Sequence, residues 1–143
     1  MSIFQATQYL FTYGTLRRHF QYPVYRRMTR YVTYVSKATT RGLLYDMGSY
    51  PALVHGPGLV IGELYTIRES EALWWLLDTY EEAGNRFPAP QEYRRERVLV
   101  NRPDQPQARP FAAWTYIYNW DVRRGRLIAS GDYITYRRRF IDL

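Results

Sequence analysis

The sequence predicts an α+β fold, a small mixed, mostly antiparallel β-barrel with flanking helices. Four segments have the β-branched and aromatic residues typical of strands, and connections rich in glycine and proline separate them. Most of these strands are followed by turns rather than by helices, which favours a curved sheet that closes toward a barrel. The four segments are residues 42–47, 59–67, 93–100 and 111–118.

A further strand is predicted near the N-terminus. Residues 8–13 (QYLFTY) mix aromatic and β-favouring side chains and stop at Gly14, so residues 12–16 form a loop at the strand end. Glycine at such a point lets the backbone approach a bound group and direct N–H donors at it. The loop could therefore bind a carboxylate or an oxyanion, although the single glycine on its own favours a plain turn.

Two helices are predicted beside the sheet. Residues 24–31 form a short one, with Pro23 near its first turn, although the β-branched residues that follow favour a strand. The clearer helix spans residues 69–82, and Gly84, just after it, is its stop signal. Its apolar residues follow the three- and four-residue spacing that lines one helix face: Leu73, Leu76, Leu77 and Tyr80.

Three carboxylates lie close together near the end of this second helix. Asp78, Glu81 and Glu82 occupy positions i, i+3 and i+4, where the partial negative charge of the helix C-terminus disfavours acidic groups. Repulsion and burial would raise a carboxyl pKa toward the range that suits proton transfer. One of the three is a candidate general base. Alternatively they are solvated residues paired with Arg86 or Arg94.

Length and hydropathy bound the class of protein. The chain has 143 residues, which suits a single domain over residues 1–143. Its longest apolar runs, such as residues 72–77, are far shorter than the roughly 20 residues that span a bilayer. The N-terminus also lacks the pattern of a secretory signal. We therefore expect a cytoplasmic protein with no membrane association.

The cysteine and histidine content excludes several kinds of site. The chain contains no cysteine, so disulfides, thiolate metal ligands and a cysteine nucleophile are excluded. The two histidines, His19 and His55, lie far apart and lack the spacing of metal-binding motifs. We therefore expect no metal site.

The net charge of +7 raises the question of a nucleic-acid partner. The arginines are scattered along the chain rather than grouped in one helix or tail, which favours an ordinary solvated surface. Aromatic residues near arginines could stack on bases, but Trp74 and Trp75 lie on the predicted helix and no nucleic-acid-binding module is recognisable. Nucleic-acid binding is the less favoured alternative.

Five segments, in order along the chain, resemble the γ-glutamylcyclotransferase-like superfamily, which includes AIG2-like proteins and γ-glutamylamine cyclotransferase. The first is FTYGTLRR at residues 11–18, and the second, with its Gly-x-Tyr-Pro turn and Gly-Glu-Leu-Tyr strand, is at residues 44–65. The third covers a helix end and a Tyr-Arg-Arg strand at residues 76–98. Residues 113–119 and 130–136 are similar to the closing strand and the tail.

The resemblance implies a small mixed barrel with a pocket at the Tyr-Gly-Thr-Leu loop, and a reaction that needs no cofactor. In that reaction the α-amine of a small-molecule γ-glutamyl substrate attacks its own γ-carbonyl, which releases an amine and leaves 5-oxoproline. Residue matching implies Glu81 as the catalytic acid/base. It also implies a substrate-binding set: Tyr13, Gly14, Thr15 and Leu16 in the loop, and Tyr93 and Tyr118 as further pocket residues.

The chain departs from the family pattern beside the catalytic position. Glu82 follows Glu81 where many relatives have glycine, and a longer segment at residues 83–91 contains two prolines. Substrate choice is therefore expected to differ from that of named relatives. A non-catalytic metabolite-binding module of the same fold is an alternative to the enzyme, and the sequence leaves the leaving amine and the oligomeric state open.

Overall fold

The computed structural model describes residues 6–81 and 92–140, which form six strands and three helices. The strands are β1 (Tyr9–Thr12), β2 (Val32–Asp46), β3 (Pro51–Ile67), β4 (Tyr93–Asn101), β5 (Phe111–Tyr118) and β6 (Arg126–Leu127). The helices are α1 (Pro23–Met28), α2 (Ser70–Tyr80) and α3 (Tyr133–Phe140). None of these helices has the length and apolar character needed to cross a membrane.

Five of the strands form a closed ring. The order of hydrogen-bonded neighbours is β3-β1-β5-β4-β2, and β2 pairs with β3 to close the ring, while β6 adds to β2 outside it. The β1–β5 pair is parallel and the other pairs are antiparallel. The predicted fold class, a mixed and mostly antiparallel barrel with flanking helices, is therefore confirmed.

The hairpin of β2 and β3 is longer than the sequence predicts. The predicted strands at residues 42–47 and 59–67 lie within strands of 15 and 17 residues, except that Met47 falls one residue after the end of β2. Arg41 pairs with Leu59 and Leu43 pairs with Val54, so residues 55–58 are extra residues on β3 opposite a single residue of β2. The glycines and proline of this segment indicate a turn in the sequence, but the barrel accommodates them as a bulge within one strand.

Two groups of buried side chains lie on opposite sides of the sheet. One group includes Phe11 of β1 together with Tyr133 and Tyr136 of α3, so it joins this helix to the barrel. The other includes Leu10 together with residues of α1 and α2, so it joins these helices to the barrel. The alternation of Leu10 and Phe11 between the two groups follows from the two-residue period of a strand.

The helix boundaries differ from the prediction in three places. The first helix ends at Met28 rather than near residue 31, because β2 begins at Val32 in a run of β-branched residues. The helix α2 ends at Tyr80 with Glu81 as its cap, and the predicted stop at Gly84 lies outside the described residues. The third difference is a whole helix, α3, at residues where the sequence predicts only a tail.

The side chain of Asp132 explains why α3 forms. Its Oδ1 accepts the backbone N–H of Ile134 at 3.1 Å and that of Thr135 at 3.4 Å. Its Oδ2 accepts the Thr135 hydroxyl at 3.1 Å. These bonds satisfy N–H groups that have no partner inside a first helical turn, so Asp132 is an N-cap.

Candidate active site

A cavity of about 280 Å³ opens at the end of β1. Its walls come from the end of β1 and the loop after it, the tip of the β2–β3 hairpin, the end of α2, the start of β4 and the middle of β5. The closed ring thus brings together segments that are far apart in the sequence. The residues singled out by the sequence that line this cavity are Tyr13, Gly14, Thr15, Leu16, Glu81 and Tyr93.

Glu81 enters the cavity from the C-terminal end of α2. Its backbone N–H donates to the carbonyl of Leu77 at 2.8 Å, which holds the residue against the last helical turn. The half-buried side chain lines the cavity together with Glu92. Burial raises the pKa of Glu81 to about 8, and the negative charge of Glu92 adds to the rise. This carboxyl can therefore gain or lose a proton near neutral pH.

Asp78, one helical turn before Glu81, has a different environment. Its Oδ1 accepts the hydroxyl of Tyr116 at 2.6 Å, and its Oδ2 lies 3.8 Å from Nη1 of Arg95. Asp78 therefore joins α2 to the sheet. Of the two described carboxylates at this helix end, Glu81 is the one that faces the cavity.

Part of the sequence prediction lies outside the described residues. This part comprises Glu82, its proposed partner Arg86 and the segment 83–91. The other proposed partner of the carboxylates, Arg94, is described, and its Nε donates to Glu96 at 3.1 Å instead.

The loop of residues 13–16, called the cavity loop below, owes its shape to Gly14. A hydrogen bond of 3.0 Å from the Arg17 N–H to the Gly14 carbonyl closes a turn. Gly14 packs against the ring of Pro51, and a Cβ atom at residue 14 would clash with Pro51 Cγ. Glycine is therefore required here by close packing against the hairpin rather than by an unusual φ angle.

The cavity loop is also connected to the end of α2. Thr15 Oγ1 lies 2.8 Å from the hydroxyl of Tyr80, the residue before Glu81. In the described part of the chain, the N–H groups of Gly14, Thr15 and Leu16 donate to no protein acceptor. These donors are therefore available to a ligand in the cavity.

The pocket tyrosines are held by backbone carbonyls. The Tyr93 hydroxyl donates to Pro51 O at 2.8 Å, and the Tyr13 hydroxyl donates to Tyr116 O at 2.7 Å. Burial, with a contribution from nearby acidic groups, raises the pKa of Tyr13 and of Tyr93, so both remain neutral. Tyr118 is not among the residues that line the cavity. The centroid of its ring lies 5.2 Å from that of the Tyr93 ring, so Tyr118 packs against Tyr93.

Glu92 and Tyr50 are among the cavity residues that sequence reasoning missed. Glu92 lies just before β4, and its carbonyl accepts the Asn119 N–H at 2.8 Å. The Tyr50 hydroxyl shares a hydrogen bond with Glu92, which contributes to a raised pKa of Tyr50 after the larger effect of burial. Tyr50 belongs to the Gly-x-Tyr-Pro turn, which could have indicated it, whereas no local pattern marks Glu92.

The chemistry of the cavity is that of proton transfer and hydrogen bonding. The described residues that line it include two carboxylates and several hydroxyl groups, and none of them is Lys, Arg or His. Nowhere in residues 6–81 and 92–140 do three or more His, Cys, Asp or Glu side chains form a group that could hold a metal ion. The arrangement suits a reaction in which one carboxyl moves a proton beside a cluster of backbone donors.

Curated relatives have names consistent with this site. The chain is 34% identical over 125 residues to a Vibrio cholerae protein provisionally named as a gamma-glutamylcyclotransferase, with 87% of this chain and 93% of the relative covered. It is also 34% identical over 92 residues to YtfP, a gamma-glutamylcyclotransferase family protein of Escherichia coli K12. That match covers 64% of this chain and 66% of the relative.

Solved structures show the same fold at lower sequence identity. An AIG2-like protein from Mus musculus has a TM-score of 0.69 at 22% identity, with 90% of this chain and 89% of that chain covered. The uropathogenic E. coli protein c4763 has a TM-score of 0.68 at 17% identity, with 95% and 99% covered.

The family model described as "Gamma-glutamyl cyclotransferase, AIG2-like" matches residues 10–135. This range includes all of β1 except Tyr9, together with the cavity loop, α2 and Glu81, and it spans most of the chain. The chain therefore belongs to the AIG2-like gamma-glutamyl cyclotransferase family.

Proposed function

We propose that this protein cyclises the γ-glutamyl group of a small molecule to 5-oxoproline and releases an amine. The observation that carries the proposal is the position of Glu81, a carboxyl with a pKa raised to about 8, in the same cavity as the cavity loop, whose N–H groups have no acceptor among the described residues. The family membership and the names of the curated relatives support the same general activity.

In the proposed reaction the substrate supplies its own nucleophile. The α-nitrogen forms a bond to the γ-carbonyl carbon, and the bond from that carbon to the leaving nitrogen breaks. The cavity holds the γ-glutamyl chain folded, so the reaction benefits from the high effective concentration of an intramolecular attack. No protein nucleophile is required, which agrees with the absence of cysteine from the sequence.

Glu81 carries out the two proton transfers. As a carboxylate it removes a proton from the substrate ammonium, which frees the nitrogen lone pair for attack. As a carboxylic acid it then returns this proton to the departing amine, so the carboxyl ends in its starting state. The second proton that the ring nitrogen loses after the attack passes to solvent or to the released amine. A carboxyl with a pKa of about 8 suits both steps, because each form is present in useful amounts near neutral pH.

The N–H groups of Gly14, Thr15 and Leu16 bind the negative oxygen atoms of the substrate. They hold either the α-carboxylate or the oxyanion that develops on the γ-carbonyl during attack. A well-placed donor to such an oxyanion contributes about 3–4 kcal/mol to stabilising the transition state. Tyr93 lines the same cavity, whereas Tyr118 acts through its packing on Tyr93.

A panel of γ-glutamyl amines and γ-glutamyl amino acids tests the proposal. We expect the purified protein to release 5-oxoproline and free amine in equal amounts from at least one of them, measured by chromatography. Binding of 5-oxoproline or a γ-glutamyl compound without turnover of any member would instead support the non-catalytic binding module. The cytoplasmic location and the independence from cofactors stay predictions, and adding EDTA to the assay tests the second.

A further inference from the structure

A buried arginine directly follows the cavity loop. Arg17 is 4% exposed, although the cavity does not include it and the proposed reaction does not use it. Its Nη1 donates to Asp132 Oδ1 at 2.8 Å, and its Nε donates to Glu63 Oε2 at 3.4 Å. Arg17 therefore connects the cavity loop to β3 and to the N-terminal end of α3.

Glu63 adds a second connection to the same loop. Its Oε1 accepts the backbone N–H of Arg18 at 2.9 Å and the hydroxyl of Tyr65 at 2.8 Å. Glu63 is itself buried, at 7% exposed, and it pairs across the ladder with Thr12, the last residue of β1. The segment after the cavity loop is thus attached both through its backbone and through the Arg17 side chain.

Asp132 is the third member of this group. Burial on its own raises the pKa of Asp132, but the Arg17 charge and hydrogen bonds from Arg17 and Thr135 outweigh it, and the pKa is lowered. The carboxylate therefore stays charged while it both caps α3 and binds Arg17. Asp132 thus links the start of α3 to the residue that follows the cavity loop.

The energetics argue for a positioning role. Burying an arginine with two carboxylates costs desolvation energy that the attraction between them often does not exceed, so such a group is weak evidence for added stability. What the group does supply is geometry, because the planar guanidinium binds two partners in fixed directions. The loop next to Arg17 is the one whose N–H groups at residues 14–16 have no acceptor among residues 6–81 and 92–140.

We propose that Arg17, with Glu63 and Asp132, is a positioning residue that fixes the cavity loop so that the N–H groups of Gly14, Thr15 and Leu16 point at the substrate. This inference rests on the proposed function for its catalytic consequence. Its structural part, the fixing of the loop, can be measured whether or not the protein turns over a γ-glutamyl compound.

Two variants and one matched control test the inference. Arg17→Met removes both ion pairs, and Arg17→Lys keeps the charge but cannot bind both carboxylates in the same directions. The control is Arg68→Met, because Arg68 also binds structure through its guanidinium, to the carbonyls of Thr29 at 2.8 Å and Val32 at 3.0 Å. Arg68 lies outside the cavity.

The first readout is exchange of the Arg17 and Arg18 amide hydrogens, which are bonded to Gly14 O and Glu63 Oε1, at a temperature where circular dichroism shows all variants folded. We expect Arg17→Met to speed exchange there by at least tenfold, Arg17→Lys to have an intermediate effect, and Arg68→Met to have none. Unchanged exchange in folded Arg17→Met would overturn the inference, even if the wild-type protein proves to be an active enzyme.

The second readout is steady-state kinetics on the best γ-glutamyl substrate. We expect kcat/KM to fall at least tenfold in Arg17→Met, with partial recovery in Arg17→Lys and no change in Arg68→Met. An equal loss in Arg17→Met and Arg68→Met would show a general stability effect and overturn the positioning role. If the wild type releases no 5-oxoproline, the proposed function fails, while the exchange experiment still decides the fixing of the loop.

Discussion

The two carboxylates at the end of α2 are one helical turn apart, yet their surroundings are opposite. Asp78 accepts a hydroxyl from Tyr116 and lies near the Arg95 guanidinium, so its charge is compensated. Glu81 lies in the cavity with Glu92 as its charged neighbour, and its pKa is raised. Two carboxylates at one helix end thus differ in role because the sheet places different groups opposite them. One is structural, and the other is suited to proton transfer.

The largest expected effect separates the two carboxylates by activity. Glu81→Gln removes the acid/base and should lower kcat for 5-oxoproline release by 10²-fold or more. Asp78→Asn keeps an acceptor for Tyr116 and should lower it only a few-fold. Turnover rates of both purified variants check this. A larger loss in Asp78→Asn than in Glu81→Gln would show that the acid/base has been assigned to the wrong carboxylate.

The next effect concerns stability and pH. The pKa of Glu81 is 4.5 in the reference state and about 8 in the folded chain, so the unfolded state ionises first as the pH rises. The folded wild type therefore loses stability between pH 4.5 and 8, and its stability is unaffected by this group below that window.

The Glu81→Gln side chain cannot ionise, so the variant does not lose stability in this pH range. Relative to the wild type, we expect its free energy of unfolding to be about 2 kcal/mol higher above pH 8 than at pH 4. This is less than the whole pKa difference would give, because the side chain is only half-buried and solvent screens its charge. Urea unfolding at the two pH values measures the difference. A gap that does not change with pH would contradict the raised pKa.

A smaller effect is expected from the hydrogen bond between Tyr116 and Asp78. Tyr116→Phe removes the 2.6 Å hydrogen bond to Asp78 and should destabilise the fold by about 1–2 kcal/mol, because the acceptor is charged. Thermal unfolding at pH 7 measures this loss. Thr79→Ala, which removes a hydrogen bond within α2 to Trp75 O, is the control and should cost less.

The smallest expected effect concerns Glu92, the charged neighbour of Glu81 in the cavity. Glu92→Gln removes a negative charge beside Glu81, which lowers the pKa of Glu81. Because burial is the larger cause of the rise, we expect the acid limb of the kcat/KM profile to move down by only about half a pH unit to one unit. Rate measurements from pH 5 to 9 check this, with Glu71→Gln at the far end of α2 as the control. A shift to higher pH would exclude the assigned repulsion.

The parts of the fold that sequence reasoning found are those with a local signal. The periodic leucines of α2 predict a helix facing the sheet, and the strand pattern before Gly14 predicts the cavity loop. The helix α3 was missed because its residues, YITYRRRF, combine aromatic and β-branched side chains with a run of arginines. Its N-cap, Asp132, was the available signal.

The parts of the site that were missed depend on contacts between distant segments. Glu92 enters the cavity because β4 pairs with β5, and no neighbouring residue reveals this. The role of Gly14 was expected to be backbone access to a ligand, whereas its contact with Pro51 shows a packing requirement as well. Arg17 was one member of a scattered basic set in the sequence, and only the fold brings Glu63 and Asp132 to it.

The ring of strands closes unevenly, and this affects where the barrel can fluctuate. The strands β2 and β4 share only the pairs Thr39–Asn101 and Thr40–Val100, at the opposite end of β4 from Tyr93, and β1 and β5 share only Leu10–Trp114. Local opening concentrates where hydrogen bonds between strands are fewest. The barrel is therefore expected to open at two places, the β2–β4 pairing remote from the reacting groups and the β1–β5 pairing beside the cavity, whose lining includes Leu10.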